Sequence, residues 1–274
     1  MMEPGAEVGA RADEYAACCS DFYSSEAVRL LLGDSFHPGG EELTRELLEM
    51  AGAGPGQRVL DVGGGLGTSA ELEAREFGCT VSVVDRAMAN VERARQRLLD
   101  AGLAESATVV QADVHALPFP DASFDVVLCE CVFSTFVDKP AAAAELLRVL
   151  RGGGRLALSD VSLETAELPP ELATLLARVA CLADAPSKQA LSTLLAQAGF
   201  GIGQIRDAAW ALTEMAQRVR RRLLVLSMAG QLGALDRGGF DLKEGKRLIG
   251  RAIELIDKGE VGYLAIVAMP QRGL

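Results

Sequence analysis

The sequence predicts an α/β fold: a doubly wound, mostly parallel seven-stranded sheet, with N-terminal helices before it and a helical insert between its last two strands. Two observations carry this. Five short β-branched apolar runs, RVLDVG, TVSVVD, ATVVQAD, FDVVLCE and GRLALSD, are separated by helical stretches. Strand, helix, strand in that order builds a parallel sheet covered on both faces. The runs also barely alternate polar with apolar residues, as strands buried on both sides do.

The elements follow in order. Residues 1–20 form a loose lead-in, and Tyr23 to Leu32 and Glu41 to Met50 read as helices broken at Gly33 to Gly40. A helix from Thr68 to Phe77 follows the first strand. The next, Ala87 to Ala101, puts Arg93, Arg95 and Arg97 on a wet face. Lys139 to Leu150 ends in basic residues that suit a helix C-terminus, and Gly152 to Gly154 stop it. Ser187 to Ala198 starts after Pro186 and ends at Gly199. Ile202 to Arg206 and Tyr263 to Ala268 complete the seven strands. Between them the insert reads as Leu212 to Leu232, broken at Gly230, and Leu242 to Lys258. Its basic run Arg218 to Arg222 reads as a solvated helix face beside Leu223, Leu224 and Leu226. The expected organisation is a lead-in or lid at 1–50, a core at 51–206, the insert at 207–262 and the last strand at 263–274.

Composition narrows the function. The chain has 274 residues, 49% of them apolar and 24% charged, which suits a packed core rather than a disordered chain. Its formal charge of −11 repels phosphate backbones, so no nucleic-acid partner is expected. No apolar run is long enough to span a membrane. The segment Met1 to Glu14 lacks the basic start and apolar stretch of a signal peptide, so a cytoplasmic location with reduced thiols is expected. Six cysteines do not make a small disulfide scaffold in a chain this long.

The sharpest motif is Asp61-Val62-Gly63-Gly64-Gly65-Leu66-Gly67, which follows a strand and opens a helix. Glycines there let the backbone turn tightly and approach a ligand, and the helix N-terminus beyond favours an anionic group. The bland alternative is a turn that merely connects strand to helix. Two acids weigh against it. Asp85 closes the second strand 24 residues after Asp61, where a carboxylate can meet ribose hydroxyls. Asp113 closes the third, with Leu117-Pro118-Phe119 downstream: an acid plus an apolar wall suits an adenine ring and its amine. No metal site is expected.

These segments resemble class I S-adenosylmethionine-dependent methyltransferases with a Rossmann-like sheet. VLDVGGGLGTSA resembles the family's first motif, and VVDRA its ribose-binding strand end. QADVHALPFPDASFDVVLCECVF resembles the adenine segment and fourth strand, and ELLRVLRGGGRLALSD the stretch before the fifth. The LPFPD segment is shared with quinone and sterol relatives of the methyltransferase type 11, UbiE-like group. The resemblance implies a sheet whose last strand runs antiparallel. It also implies S-adenosyl-L-methionine as cofactor, with S-adenosyl-L-homocysteine as product. By position, Asp61, Gly63, Gly65 and Gly67 would hold the methionine end, Asp85 and Arg86 the ribose side, and Asp113 and Val114 the adenine. Cys129 and Glu130 would lie beside the sulfonium.

The methyl acceptor is less legible. An oxygen or nitrogen acceptor needs a base, and the chain has two histidines. His115 lies in the adenine-side loop and reads as structural. His37, in Ser35-Phe36-His37-Pro38-Gly39-Gly40, is either a turn residue or a contact to the acceptor. Cysteines offer another route, because thiolates bind soft, thiophilic centres. Cys131 ends the fourth strand, Cys181 follows the fifth, and Cys18-Cys19 sit on the lead-in. Each is otherwise an ordinary small core residue, as Cys79 is expected to be. This layout partly resembles arsenite methyltransferases, with Cys131 before Asp138-Lys139-Pro140 and Cys181 after Ser159-Asp160. That resemblance implies thiolates holding trivalent arsenic during methyl transfer. A small-molecule acceptor is therefore expected, either a thiol-bound metalloid or an apolar metabolite methylated on carbon, oxygen or nitrogen. A catalytically silent cofactor-binding partner protein is the alternative of another class, its apolar insert helices offering a surface for a homodimer.

Overall fold

The computed structural model describes Leu32, Gly33 and residues 36–165, 185–231 and 242–271. The proposed helix at Tyr23 to Leu32, apart from its last residue, lies outside them, as do Cys18, Cys19 and Cys181. Seven strands form one sheet: β1 (Arg58–Val62), β2 (Thr80–Asp85), β3 (Ala107–Gln111), β4 (Phe124–Glu130), β5 (Leu150–Leu163), β6 (Phe200–Asp207) and β7 (Val261–Pro270). Their order is β3-β2-β1-β4-β5-β7-β6. Strands β1 to β5 pair in parallel, and β7 runs antiparallel between β5 and β6. The order reverses direction between β1 and β4, which opens a crevice beyond their carboxyl ends.

The helices are α1 (Gly40–Ala51), α2 (Thr68–Arg75), α3 (Met88–Asp100), α4 (Lys139–Val149), α5 (Lys188–Gln197), α6 (Ala209–Gln231) and α7 (Leu242–Asp257). They divide between the sheet's faces. One apolar layer joins Leu43 and Leu47 of α1, Ala94 and Leu98 of α3, and Leu248 and Leu255 of α7 to Val59, Val81, Val126 and Leu128. The other joins Leu146 and Val149 of α4 and Leu191 and Leu195 of α5 to Leu60, Val127, Cys129 and Leu156. Successive residues of one strand therefore enter opposite layers, and both layers are apolar. That is why the strands carry no polar–apolar alternation.

Local signals set the boundaries. Asp138 accepts the Ala141 amide at 2.9 Å and caps α4, with Pro140 in the first turn. Ser187 accepts the Ala190 amide at 3.2 Å, so it caps α5 from just outside rather than forming its first residue. Gly152 to Gly154 do not make a loop: β5 begins at Leu150, directly after α4, and runs through them. Gly154 is held so close that a Cβ would meet the Asp125 carbonyl at 3.0 Å. Gly230 does not break α6, which continues to Gln231. A glycine costs a helix about 1 kcal/mol relative to alanine, too little to end one already packed. Helices α6 and α7 lie against each other and against β7. Arg220 and Arg221 are exposed and Leu223 is buried, but Leu224 and Val225 face outward. Among the described residues, no helix is long and apolar enough to cross a membrane.

One side chain fixes the segment between β3 and β4. Arg148 of α4 donates to the Phe119 carbonyl at 2.8 Å and the Leu117 carbonyl at 3.2 Å. It also bonds Glu145 and Asp121, each at 2.7 Å, and Glu145 in turn accepts the Leu117 amide at 2.8 Å. Arg148→Ala therefore leaves two carbonyls and two carboxylates without their donor. The expected loss of unfolding free energy in urea is about 1–2 kcal/mol, with faster amide exchange at residues 117–123.

Candidate active site

The crevice at the strand ends is a single cavity, and the loop after β1 forms its floor. Gly63 and Gly64 donate their amides to the Val84 carbonyl at 2.8 and 3.2 Å, so the loop is folded back onto β2. No side chain fits at Gly64, where a Cβ would stand 2.5 Å from Asp61 Oδ2 and 2.5 Å from Val83 Cγ1. Gly63 is nearly as tight, with Val132 Cγ2 at 2.8 Å. Gly63 and Gly64 therefore line the cavity with backbone packed too closely against Val132, Asp61 and Val83 to carry a side chain.

Four carboxylates line this cavity: Asp61, Asp85, Asp113 and Glu130. Asp61 is 2% exposed, and its Oδ2 has no hydrogen-bond partner among the described residues. Burial, then the charges of Glu130 and Asp85, push its carboxyl well above the usual range. Asp85 accepts the Gly65 amide at 3.0 Å and the Ala87 amide at 2.8 Å, with Asn90 Nδ2 at 3.3 Å. Burial raises its carboxyl and these donors offset part of the rise. Asp113 is more open. Burial raises it, but the His115 amide and ring and the Arg86 charge outweigh that and hold it below the ordinary value.

At the other end Glu130 closes β4. Its carboxylate accepts Thr44 Oγ1 at 3.0 Å and Ser69 Oγ at 2.8 Å, and His37 Nε2 lies 3.7 Å away. His37 Nδ1 faces the Pro38 carbonyl at 3.3 Å. Phe36, Val132, Thr135 and Phe136 add an apolar wall. Cys131 lies on the same wall, half-buried, with its amide bonded to the Ser159 carbonyl at 2.7 Å and φ of +55°. A non-glycine residue in that region stores about 1 kcal/mol or more of strain.

Asp160 holds this wall from behind. It accepts the Ser134 amide at 2.7 Å, Ser134 Oγ at 2.8 Å and the Val161 amide at 2.7 Å. Burial still pushes its carboxyl up to about 6.

The cavity thus gathers Asp61, Gly63, Gly65, Asp85, Arg86, Asp113, Val114, His37 and Cys131 from the expected site. Two expected residues stand outside its lining. Gly67 lies outside the cavity: it caps α2 at φ +75°, and a Cβ there would meet Ala94 Cβ of α3 at 3.1 Å, so it serves helix packing. Cys129 is fully buried in the layer on the opposite side of the sheet from Leu128. Burial, then the charges of Asp160, Asp61 and Glu130, push its thiol well up, which removes it from thiolate chemistry. Sequence reasoning missed Thr44, Ser69, Asn90 and Gly64. Thr44 meets Glu130 only through folding, 86 positions away. Asn90, in the first turn of α3 and five positions after Asp85, could have been found from spacing.

The comparisons agree with this geometry. A family model described as a methyltransferase domain matches residues 60–158. The chain carries a class I methyltransferase domain. Methyltransferase GfsG of Streptomyces halstedii is 32% identical to it over 176 residues, 58% of this chain and 63% of that one. The ubiquinone/menaquinone biosynthesis C-methyltransferase UbiE of Stutzerimonas stutzeri is 37% identical over 150 residues, 54% and 59% of the two chains. The methyltransferase-domain chain thus spans about three-fifths of the length of these curated relatives. Among solved structures, the [4+2]-cyclase SpnF superposes with a TM-score of 0.72 at 23% identity, covering 89% of this chain and 92% of its own. The geranyl diphosphate C-methyltransferase of Streptomyces coelicolor A3(2) gives 0.70 at 17%, covering 93% and 98%. At these identities the shared property is the fold, and a cyclase shares it too.

Two outcomes are expected for this domain. Gly64→Ala forces Asp61 and Val83 aside and lowers stability by about 1–3 kcal/mol in urea unfolding. Asp160, with its value raised on folding, makes the folded state hold the proton more tightly than the unfolded chain. Its contribution is therefore favourable at low pH and is lost as pH rises from about 4 through about 6. The stability of wild type relative to Asp160→Asn should fall by about 2–3 kcal/mol across that window in pH-dependent urea melts. A flat difference contradicts the assignment.

Proposed function

We propose that the domain transfers a methyl group from S-adenosyl-L-methionine to a small molecule held at the Glu130 end of the cavity. The observation that carries this is the buried, unpartnered Oδ2 of Asp61 on a floor of side-chain-free backbone, in one cavity with Asp85 and Asp113. These residues fit the cofactor. Asp61 would take its ammonium, which also relieves the crowding of that carboxyl by Glu130 and Asp85. Asp85 would accept ribose hydroxyls, and Asp113 the exocyclic amine of adenine. When bound, the cofactor supplies an electrophilic methyl on a sulfonium and leaves as S-adenosyl-L-homocysteine.

The chain's own part is alignment and exclusion of water. Phe36, Val132 and Phe136 wall the cavity, and the Glu130 side chain is held in place by two hydroxyls. The apolar wall supports an apolar acceptor, as does a relative named for ubiquinone/menaquinone biosynthesis C-methylation. His37, beside Glu130 and lining the cavity, is the candidate to receive a proton from such an acceptor. Cys131 on the same wall favours a second acceptor class, a trivalent metalloid held by thiolates with Cys181 as a further ligand.

Calorimetry with S-adenosyl-L-methionine tests the cofactor. Asp85→Ala should weaken binding about 10- to 100-fold, because it removes a charged acceptor and unties Gly65. Undiminished binding by that variant refutes the placement. Transfer of labelled methyl to a reduced naphthoquinone or to arsenite with excess thiol then separates the acceptors. Arsenite turnover lost in Cys131→Ser and Cys181→Ser supports the metalloid. Turnover surviving both substitutions discards it. Cofactor binding with no transfer to any extract favours a silent partner protein.

A further inference from the structure

We propose that His115 is a positioning residue of the adenine site whose protonation sets how tightly adenosine binds. This rests on the cofactor placement above and adds a regulator to it. The His115 ring is held between two oxygens: Nδ1 lies 2.6 Å from Asp113 Oδ1, and Nε2 lies 3.1 Å from the Asp138 carbonyl. The His115 amide donates to the same Asp113 oxygen at 2.9 Å. The ring also meets Phe136 edge to face, with centroids 6.3 Å apart.

Both ring contacts need a donor on the histidine. A backbone carbonyl only accepts, and Asp113, held below the ordinary carboxyl value, accepts as well. The two contacts are hydrogen bonds together only when both nitrogens carry protons. Removing either proton turns a lone pair toward an oxygen, and one side of the clamp must open.

What the clamp joins gives it a role. Asp113 Oδ1 is occupied by His115, which leaves Oδ2 to meet the adenine amine, with Arg86 Nη1 3.7 Å away. Asp138 caps α4, the helix beside Phe136 and Val137 on the cavity wall. The protonated ring thus ties the adenine-side loop to the opposite wall. The charged groups around it are Asp113 and Arg86 from the strand ends, and Asp138, Lys139 and Glu145 from α4. The Asp138 carboxylate is turned to the Ala141 amide, Lys139 Nζ to the Phe136 carbonyl at 3.0 Å, and Glu145 to the Leu117 amide. Within hydrogen-bond reach among the described residues, the ring itself has its two acceptors.

Adenosine is the probe, because it lacks the amino-acid end of the cofactor and titrates outside the histidine range. Its dissociation constant, measured by calorimetry, should rise about tenfold between about pH 5.5 and 9 in wild type. His115→Gln should bind adenosine more weakly at low pH, with no such slope. The chain has two histidines, so its ring-nitrogen spectrum contains two systems, and His115→Gln assigns them. In wild type the His115 nitrogens should give the doubly protonated pattern at the pH where adenosine binds tightly and lose it where binding weakens. A flat binding profile, or a single-proton pattern where adenosine binds tightly, overturns the inference. Binding with a flat profile leaves the cofactor placement standing, whereas no adenosine binding at any pH overturns both.

Discussion

The Asp85 carboxylate is shared by the loop after β1, the turn after β2 and the first turn of α3, through Gly65, Ala87 and Asn90. Everything on the cavity floor follows from that arrangement. With Gly65 held by Asp85, and Gly63 and Gly64 held by the Val84 carbonyl, the loop has one place to be. The absence of side chains at Gly63 and Gly64 then becomes a shaped cradle rather than slack chain. The parallel pairing of β1 with β2 supplies the register that brings these groups together.

A second constraint is electrostatic. Asp61, Glu130 and Asp160 are all buried around the cavity, and Glu73 is buried beneath it with neither oxygen bonded among the described residues. Burial, then Asp61 and Glu130, push the Glu73 carboxyl well up, which favours its neutral form. Glu130 is met by hydroxyls and by His37 at longer range. Among the described residues these acids outnumber the basic side chains acting on them, with Lys139 acting on Asp160, and such a region gains from receiving a cation. The proposed sulfonium and ammonium supply that charge from outside the chain. At the proposed adenine end the balance reverses, because Asp113 already has Arg86 and His115 beside it.

Much of this was legible in the residues. The glycine loop, Asp85 and Asp113 could be placed from strand periodicity and spacing, because a strand's carboxyl end and the helix after it are local events. Cys129 and Gly67 stand outside the cavity lining for opposite reasons. Cys129 sits one residue from Glu130, and strand alternation turns adjacent side chains to different faces; only the packed layers reveal which one meets the cavity. Gly67 looks like its neighbours in the motif, yet the approach of Ala94 on α3 claims it for packing. His115 read as structural, and its contacts to Asp113 and Asp138 give that structure a chemical consequence.

By itself the sequence determined the strand order along the chain, the glycine bend and the acids at the strand ends, since each depends on neighbours within a few positions. Only the tertiary structure decided which side chains meet across the cavity. Thr44 reaches Glu130 from α1, Ser134 is fixed by Asp160, and His115 finds Asp138 from a different segment. Such meetings depend on how helices pack against a sheet, and no spacing along one segment encodes the distance between two.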